Sequence, residues 1–374
     1  MNKQKHLVVS AVNLIEGGTL TVLIDSLEIA SKCLPLNWKI TALVHHKSLI
    51  NNIPRVQIME FPQSKRSWLS RIWLEWFQFN KLSQALKPDL WLSLHDITPR
   101  VQARRQAVYC HNSSPFYRMS WHEARLDPKF ALFNLFYGQL YRVFISRNQA
   151  VVVQQEWLRQ AFMRIYGHSN VVVAYPSKKL GSDSRMQSNF SAGPFNTYRP
   201  LVMLYPAFPR VFKNVEILCE AVNRLPPEIS ALVELRLTVS GTENAYARDL
   251  YHRYSSVPGV RFLGRQTRQQ MDHEYQNCDV VLFPSKLESW GLPITEAKAY
   301  GKPLVVANLP YAHETVGNCD AVTFLPAHDV QAWEATIHQM VARKHTFGKK
   351  SHSLPEEPFA ADWFQLWSLL IRGL

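Results

Sequence analysis

Residues 282–303 read LFPSKLESWGLPITEAKAYGKP, and the fold of the chain can be read outward from them. The apolar run DVVLF at 279–283 is typical of a buried parallel strand, and Pro284 ends it. In the loop that follows, Gly291 permits a close backbone approach and Pro293 suits the first turn of a helix. We therefore predict a loop at the carboxyl end of a strand, opening into a helix.

The predicted helix covers residues 294–300, Gly301 closes it, and the next strand follows at 304–307. Free backbone N–H groups and the helix dipole make such a helix start attractive to phosphate. Two carboxylates flank the loop, Glu288 before it and Glu296 inside the helix. One could bind a sugar and the other a ribose. Alternatively, both lie on a solvated face and bind no ligand.

The motif FPSxxESWGLPxxEA, followed by GxP, resembles the E-x7-E region of retaining glycosyltransferases of family 4 (group 1), which have the GT-B fold. This resemblance implies an α/β protein with two Rossmann-like, doubly wound domains facing across a cleft. It also implies that Glu288 binds or orients the transferred sugar and that Glu296 binds the ribose of a nucleoside diphosphate sugar. Backbone amides of the loop would contact the diphosphate, and they belong to Ser289, Trp290, Gly291 and Leu292.

Lys213 and Asn214 match the family's Lys-Asn or Lys-Gly pair in the first loop of the C-terminal domain. In the family, this lysine and a nearby arginine neutralise the donor diphosphate. Arg210 is the corresponding arginine here, although its spacing from Lys213 departs from the usual pattern. Gly241 and Gly264 follow two further predicted strands, where the family places the nucleoside base and where glycine lets the backbone approach a ligand.

The N-terminal half carries the resemblance more loosely. Gly17, Gly18 and Thr19 match a glycine-rich loop that lies over the donor phosphates and the acceptor site in the family, and a simple tight turn is the alternative. His111 follows a predicted strand, at a place where open α/β sheets bind ligands. The surrounding YCHNSSPFY resembles the family segment in which a histidine contacts the transferred sugar, so His111 is the first candidate and His95 the second.

The formal net charge of the 374 residues is +13, and it is unevenly distributed. The first 177 residues hold 21 lysines and arginines against 10 aspartates and glutamates, and the rest hold 21 against 19. The basic half suggests contact with an anionic surface, with plain solubility as the alternative, and no nucleic-acid-binding motif is present. Scattered cysteines without a CxxC motif argue against a disulfide framework or a zinc site and suit a reducing cytoplasm.

Alternating strand-like and helical runs divide the chain into two domains of similar size. We predict an acceptor-binding domain over residues 1–175 and a nucleotide-sugar-binding domain over 201–355. A linker rich in Ser, Gly and Asn joins them at 176–200, where apolar periodicity is lost. Residues 356–374 are predicted to form a closing helix, and in GT-B proteins such a helix returns to the first domain.

Two segments of the N-terminal half combine aromatic and basic residues, 65–81 and 118–147. Residues 65–81 could form an anchor at the membrane interface, and residues 118–147 could bind a lipid-linked acceptor; alternatively, each forms an ordinary helix packed in the core. No apolar run approaches the roughly 18 residues that a spanning helix requires, and the N-terminus reads as a strand rather than a signal peptide. We therefore expect a cytoplasmic protein that is peripheral to the inner face of the cytoplasmic membrane.

The resemblance implies a glycosyltransferase with Glu288, His111 and Lys213 as catalytic residues. It would move a sugar from a nucleoside diphosphate sugar to a lipid-linked or oligosaccharide acceptor in O-antigen or lipopolysaccharide biosynthesis. No Asp-x-Asp motif is present, so Lys213 and Arg210 would replace a metal at the diphosphate, and no cofactor is expected. The alternatives are a sugar-nucleotide epimerase of the same fold and a non-catalytic relative. An NAD-dependent enzyme is disfavoured because the first strand lacks a dinucleotide fingerprint.

Overall fold

The computed structural model describes residues 4–176 and 199–374, so the predicted linker lies outside the described residues except at its ends. The described residues form two compact units. The first unit lies within Met1–Phe116, Asn134–Lys178 and Leu354–Leu374. The second unit lies within Tyr117–Phe133 and Lys179–Ser353.

Strands and helices alternate along the described chain, as the apolar runs predict. The strands are β1 (Lys5–Ala11), β2 (Trp38–Val44), β3 (Val56–Glu60), β4 (Leu90–Ser93), β5 (Arg105–Cys110), β6 (Ala150–Val153), β7 (Val171–Ala174), β8 (Leu201–Tyr205), β9 (Val233–Leu237), β10 (Val260–Phe262), β11 (Val280–Phe283), β12 (Leu304–Ala307), β13 (Cys319–Leu325), β14 (Gly348–Lys350) and β15 (Phe359–Ala360). The helices are α1 (Gly17–Cys33), α2 (Trp68–Trp73), α3 (Phe79–Leu86), α4 (Trp121–Leu126), α5 (Pro128–Arg142), α6 (Glu156–Tyr166), α7 (Val215–Asn223), α8 (Pro227–Ser230), α9 (Ala245–Tyr254), α10 (Arg268–Asn277), α11 (Leu292–Ala299), α12 (Pro310–Val316), α13 (Val330–Val341) and α14 (Trp363–Ile371).

The first unit is built on a parallel sheet with the strand order β15-β7-β6-β5-β4-β1-β2-β3. Its central strands are apolar on both faces, and Leu7, Val8 and Leu92 are completely buried. The strand order reverses between β1 and β4. In open α/β sheets, ligands bind outside the carboxyl ends of the strands at such a point.

The second unit has the strand order β10-β9-β8-β11-β12-β13-β14, and its strands are parallel except for β14, which runs antiparallel to β13. The order reverses between β8 and β11. The loops that follow these two strands therefore lie side by side at the carboxyl edge of the sheet. They are the two loops in which the sequence predicts the donor site.

The C-terminal residues differ in detail from the predicted closing helix. Phe359–Ala360 forms β15, which adds to the first sheet beside β7, and only Trp363–Ile371 is helical. Trp367 Nε1 donates to the carbonyl of Ser26 at 3.0 Å, which fixes α14 against α1. Among the described helices, none combines the length and the apolar character needed to cross a membrane.

Candidate active site

The second unit brings Lys213 and Glu288 together from loops 75 residues apart. Lys213 Nζ lies 2.5 Å from Glu288 Oε1, and the two side chains are only 16% and 12% exposed. The ammonium also lies over the rings of Phe212 and Phe283, 5.6 Å from each centroid. A cation that is partly withdrawn from water and held beside aromatic faces is a strong electrostatic partner for an anion.

The main chain that carries Lys213 is fixed from two sides. The Tyr205 hydroxyl donates to the Lys213 carbonyl at 2.6 Å, and burial raises the pKa of this phenol well above its usual value, so it remains a donor. Asn214 has a left-handed backbone (φ 58) and donates from Nδ2 to the carbonyls of Pro284 (3.1 Å) and Ala327 (2.8 Å). The Asn214 side chain thus joins three loops of the site.

The loop before α11 leads from the end of β11 to the start of a helix, as the sequence predicts. Gly291 is left-handed (φ 84) and caps α11, which begins at Leu292. The Trp290 indole is nearly buried and donates to the Thr295 hydroxyl at 3.0 Å, while Ser289 is partly buried beside it. The backbone from Ser289 to Leu292 is therefore held at a helix start, where free amides attract anions.

Glu296 lies on α11 and has partners of its own. Arg268 Nη1 donates to Oε1 at 2.9 Å, and the Tyr275 hydroxyl donates to Oε2 at 2.8 Å. Burial, together with the charge of Glu296, raises the pKa of Tyr275. Glu288 and Glu296 thus occupy separate environments, one beside a lysine and the other beside an arginine and a phenol. Within the described residues, no group of three or more His, Cys, Asp or Glu is placed to hold a metal ion.

Gly241 and Gly264 mark the carboxyl ends of the neighbouring strands β9 and β10. Both are left-handed (φ 90 and φ 71), and a Cβ at Gly241 would lie 2.6 Å from the Tyr251 Cβ. The Glu243 carboxylate accepts the amides of Ser240 (2.7 Å) and Gly241 (3.0 Å), which fixes this turn. The turn therefore requires glycine at position 241. It places the backbone at the carboxyl edge of the sheet, where open α/β sheets bind ligands and which we call the ligand edge.

The residues Tyr117–Phe133 belong to the second unit and contact the loops of its site. Asp127 Oδ2 accepts from Arg210 Nη1 at 2.9 Å, and Glu123 Oε1 accepts from Lys286 Nζ at 2.9 Å. The sequence shows only that a helix begins near Glu123, through its capping box with the serine three residues earlier. It gives no sign that this segment supplies carboxylates to Arg210 and Lys286, and we did not predict these partners.

In the first unit, Asp96 organises the loop that contains His111. Asp96 Oδ1 accepts the amides of His111 (2.5 Å) and Asn112 (2.9 Å). The hydroxyl of Tyr137 donates to Oδ2 at 3.1 Å and that of Tyr141 donates to Oδ1 at 3.2 Å. His111 is thus held at the carboxyl end of β5 by a residue from the loop after β4.

The His111 side chain is partly buried, and its Nε2 atom is buried without a hydrogen-bond partner within the described residues. Its ring centroid lies 4.6 Å from that of Tyr109. Burial lowers the pKa of His111, and Asp96 and the Leu94 carbonyl only partly oppose this effect. At neutral pH the ring is therefore uncharged, and because the Leu94 carbonyl accepts from the other ring nitrogen, Nε2 can accept one hydrogen bond from a ligand.

His95, the second candidate, lies in the interior of the first unit and is 0% exposed. Its Nε2 is 3.1 Å from the Ser10 hydroxyl and its Nδ1 is 3.3 Å from Glu75 Oε1. Arg71 completes the group, since it donates to Glu75 at 2.7 Å and to the His95 carbonyl at 2.6 Å. Burial opposes ionisation of Glu75, but His95 and Arg71 hold its pKa below the usual value. This cluster supports the loop after β4 from within.

The loop after β1 ends in the glycine pair of the sequence. Gly17 is left-handed (φ 63) and begins α1, while Gly18 is exposed and Thr19 donates to the Glu16 carbonyl at 3.1 Å. Because β1 and β4 are neighbours, this loop and the loop after β4 share the carboxyl edge of the first sheet. The predicted residues of each unit therefore gather at the ligand edge of that unit's sheet.

Known proteins resemble the C-terminal region of the chain. Residues 186–356 match the model of the family described as "Glycosyl transferases group 1". D-inositol 3-phosphate glycosyltransferase of Mycobacteroides abscessus is 31% identical over 133 residues, which cover 35% of this chain and 30% of that protein. The O-antigen chain mannosyltransferase B of Escherichia coli is 32% identical over 128 residues, 34% of this chain and 33% of that protein. The aligned segment spans about a third of these relatives.

Solved structures resemble the chain over most of its length. The lipopolysaccharide outer core galactosyltransferase WaaB in its apo form has a TM-score of 0.61 at 13% identity, covering 91% of both chains. Anabaena HepE in complex with UDP-glucose has a TM-score of 0.58 at 16% identity, again covering 91% of both chains. At such identities the likeness concerns the fold. The predicted α/β fold with two Rossmann-like domains of the GT-B type is confirmed.

Proposed function

We propose that the protein is a retaining glycosyltransferase of family 4 that transfers a sugar from a nucleoside diphosphate sugar to a hydroxyl of a lipid-linked or oligosaccharide acceptor. The observation that carries the proposal is the pairing of Lys213 with Glu288 where the strand order of the second sheet reverses. The match of residues 186–356 to the group 1 glycosyltransferase family supports the class of reaction. The O-antigen and lipopolysaccharide enzymes among the similar proteins support a role in surface polysaccharide biosynthesis.

The proposed reaction requires positive charge at the leaving group. The bond between the anomeric carbon and the β-phosphate oxygen breaks, the acceptor oxygen bonds to that carbon on the same face, and the acceptor proton is released. Negative charge then grows on the departing diphosphate, where the Lys213 ammonium and the Arg210 guanidinium stabilise it without a metal. The diphosphate replaces Glu288 as the partner of Lys213, which leaves the carboxylate to bind sugar hydroxyls.

We assign each of the remaining predicted residues to one part of the donor. The amides from Ser289 to Leu292 contact the diphosphate, Glu296 binds the ribose hydroxyls, and the backbone at Gly241 and Gly264 lies beside the base. His111 contributes a neutral imidazole to the transferred sugar. Anabaena HepE was solved with UDP-glucose, so UDP sugars are the first donors to test.

The test is release of the nucleoside diphosphate with and without an added acceptor. We expect release from one donor to accelerate when a lipid-linked or oligosaccharide acceptor is present, and the product to keep the anomeric configuration of the donor by NMR. A donor that is converted to an epimer without any acceptor would identify an epimerase instead. Binding of a donor without either conversion would identify a non-catalytic relative.

We also propose that the first unit contacts the inner face of the cytoplasmic membrane. The ring of Trp68 lies 5.9 Å from that of Tyr137, which places α2 beside α5. Lys65 and Arg66 are exposed just before α2, and they complement an anionic headgroup layer. Large apolar side chains are also exposed on α2, on the helical segment that follows it and on α5, namely Trp68, Leu69, Trp73, Phe77, Leu135 and Phe136. The segment also packs inward through Leu74 and Phe79, so both sequence-based expectations for residues 65–81 find support.

Vesicle sedimentation tests the membrane contact. We expect the protein to bind vesicles that contain anionic lipid more strongly than neutral vesicles, and the double variant Leu69→Ser/Phe77→Ser to lose this binding. Leu36→Ser is the matched control, because Leu36 is a large apolar residue that is 90% exposed and lies outside this surface. Equal sedimentation of wild type with anionic and neutral vesicles would contradict the proposal.

A further inference from the structure

Buried polar atoms without partners lie at the ligand edge of the first unit. They include His111 Nε2, Asn112 Nδ2 and Asn13 Oδ1, none of which has a hydrogen-bond partner within the described residues. The large majority of buried polar groups in proteins are paired, so such atoms require an explanation. These three belong to the loops after β5 and β1, the two strands on either side of β4. A neutral imidazole and two carboxamides are groups that bind the hydroxyls of a sugar.

Asp96, in the loop after β4, determines where two of these side chains are held. It accepts the backbone amides of both His111 and Asn112, at 2.5 Å and 2.9 Å. The hydroxyls of Tyr137 and Tyr141, both on α5, complete the shell of the carboxylate. The hydrogen bonds to this carboxylate come from two backbone amides and two phenol hydroxyls, so it fixes the position of the main chain.

The backbone of Asp96 is itself strained. Its φ of 71 lies in the left-handed region, which is unfavourable for a non-glycine residue unless its neighbours impose it. The residue before Asp96 is held in place by a buried side chain, because the guanidinium of Arg71 donates to the His95 carbonyl. Glu75 and Ser10 in turn hold the His95 ring. Strain that a buried network maintains indicates a geometry required by function.

We propose that Asp96 is a positioning residue for glycosyl transfer, which places His111 and Asn112 together so that their side chains meet the hydroxyls of the transferred sugar. This inference rests on the proposed function and adds to it a residue outside the resemblance. Asp96 acts through the two amides and does not contact the sugar itself.

The variant Asp96→Asn tests this role with little change in shape. Its carboxamide keeps one acceptor oxygen, but its NH2 group cannot accept from a phenol or an amide. We expect kcat to fall roughly 10- to 100-fold, since small misplacements of reacting groups have effects of this size. The KM of the donor should stay within about two-fold, because the donor is bound mainly by the second unit.

NMR supplies a readout that does not depend on activity. The His111 amide proton, held 2.5 Å from a carboxylate oxygen as measured from nitrogen, should be shifted strongly downfield and move upfield in Asp96→Asn. The groups that act on the imidazole are Asp96, His95 and the Leu94 carbonyl, with the Tyr109 ring against it. Loss of the Asp96 charge should therefore lower the titration midpoint of His111 further.

Asp89→Asn is the matched control. Asp89 also accepts a backbone amide, that of His6 at 2.9 Å, but it precedes β4 and so lies at the opposite edge of the same sheet. We expect this control to leave kcat and the His111 signals unchanged. Equal kinetics and equal His111 signals in wild type and Asp96→Asn would overturn the inference.

An inactive wild type or a variant that does not fold would still leave the role of Asp96 testable. If wild type releases no nucleoside diphosphate with any acceptor, the proposed function fails, and the NMR comparison still decides whether Asp96 positions His111. If Asp96→Asn does not fold, Tyr137→Phe/Tyr141→Phe removes the two phenol donors and leaves the carboxylate in place. An unchanged His111 amide signal and unchanged kcat in that double variant would contradict the positioning role.

Discussion

The carboxylates at the two ligand edges have opposite kinds of partner. In the second unit, Glu288 and Asp127 pair with the charged ends of long, flexible side chains, Lys213 and Arg210. In the first unit, Asp96 is bound by backbone amides and buried phenols. An anionic substrate can take over a lysine or arginine from a carboxylate, whereas it cannot take over amides that are fixed within a fold. The second unit is therefore suited to exchanging anionic partners and the first to holding a geometry.

The largest loss of activity should come from removing the Lys213 cation in the second unit. Lys213→Ala removes the charge that stabilises the departing diphosphate, so we expect kcat to fall roughly 100- to 1,000-fold. Lys302→Ala is the control, because its ammonium donates to the carbonyls of Gln276 and Cys278 outside the site. Steady-state kinetics with the preferred donor measures both. Comparable activity in Lys213→Ala and Lys302→Ala would show that Lys213 does not stabilise the departing diphosphate.

Glu288 and Glu296 should separate catalysis from binding. Glu288→Gln should lose most turnover and keep nucleotide affinity, because its carboxylate is assigned to the sugar. Glu296→Gln should weaken nucleotide binding roughly 10-fold through the ribose hydroxyls, an effect typical of a charged hydrogen bond. Calorimetric titration with the nucleoside diphosphate, beside kcat, distinguishes the two. Near-wild-type values of kcat and affinity in both variants would refute the assignment.

A substitution at Asp127 should have a smaller effect and should strengthen donor binding rather than weaken it. Its carboxylate competes with the donor for Arg210, whose side chain is 41% exposed. Exposed ion pairs contribute up to about 1 kcal/mol, so Asp127→Asn should tighten donor binding by roughly two- to five-fold. Asp249→Asn, which removes an exposed pair with Arg253 on α9, is the control. Weaker donor binding in Asp127→Asn would show that the pair supports the site rather than competing with the substrate.

The smallest effect concerns pH and belongs to the first unit. Burial lowers the pKa of His111 in the folded state, so the unfolded chain binds the proton more readily. The contribution of this group to stability is complete above the unfolded pKa of about 6.5 and declines as the pH falls below it. Wild type should therefore lose more thermal stability than His111→Gln between about pH 7.5 and pH 5.5. Parallel losses in the two proteins would contradict the lowered pKa.

Much of the fold can be predicted from the sequence because its strands are short apolar runs with clear ends. The strand predicted at 304–307 has these bounds in the structure, and the apolar run at 279–283 forms β11 from Val280 onward. Phe359–Ala360 was instead assigned to the closing helix, because a strand of two residues has no periodicity of its own. Its pairing with β7, nearly 200 positions earlier, depends on tertiary structure.

The candidate site was predictable where a motif names its residues. Glu288, Glu296 and Lys213 occur in segments whose spacing carries the resemblance. Asp96 and Asp127 were missed for a physical reason. The role of Asp96 depends on a left-handed backbone and on amides 15 and 16 positions away, and that of Asp127 on an arginine 83 positions away. Contacts of this range follow from the strand order, which a single sequence does not reveal.

The most direct test of the central claim is the thermal stability of the protein with UDP, GDP, dTDP, ADP, CMP and NAD, first with EDTA and then with magnesium. A ligand that binds only the folded state raises the melting temperature by mass action. We predict that one nucleoside diphosphate stabilises the protein with EDTA present, and that Lys213→Ala loses this stabilisation. A response to NAD alone, a response that requires magnesium, or no response to any diphosphate would contradict a metal-independent donor site at Lys213 and Glu288.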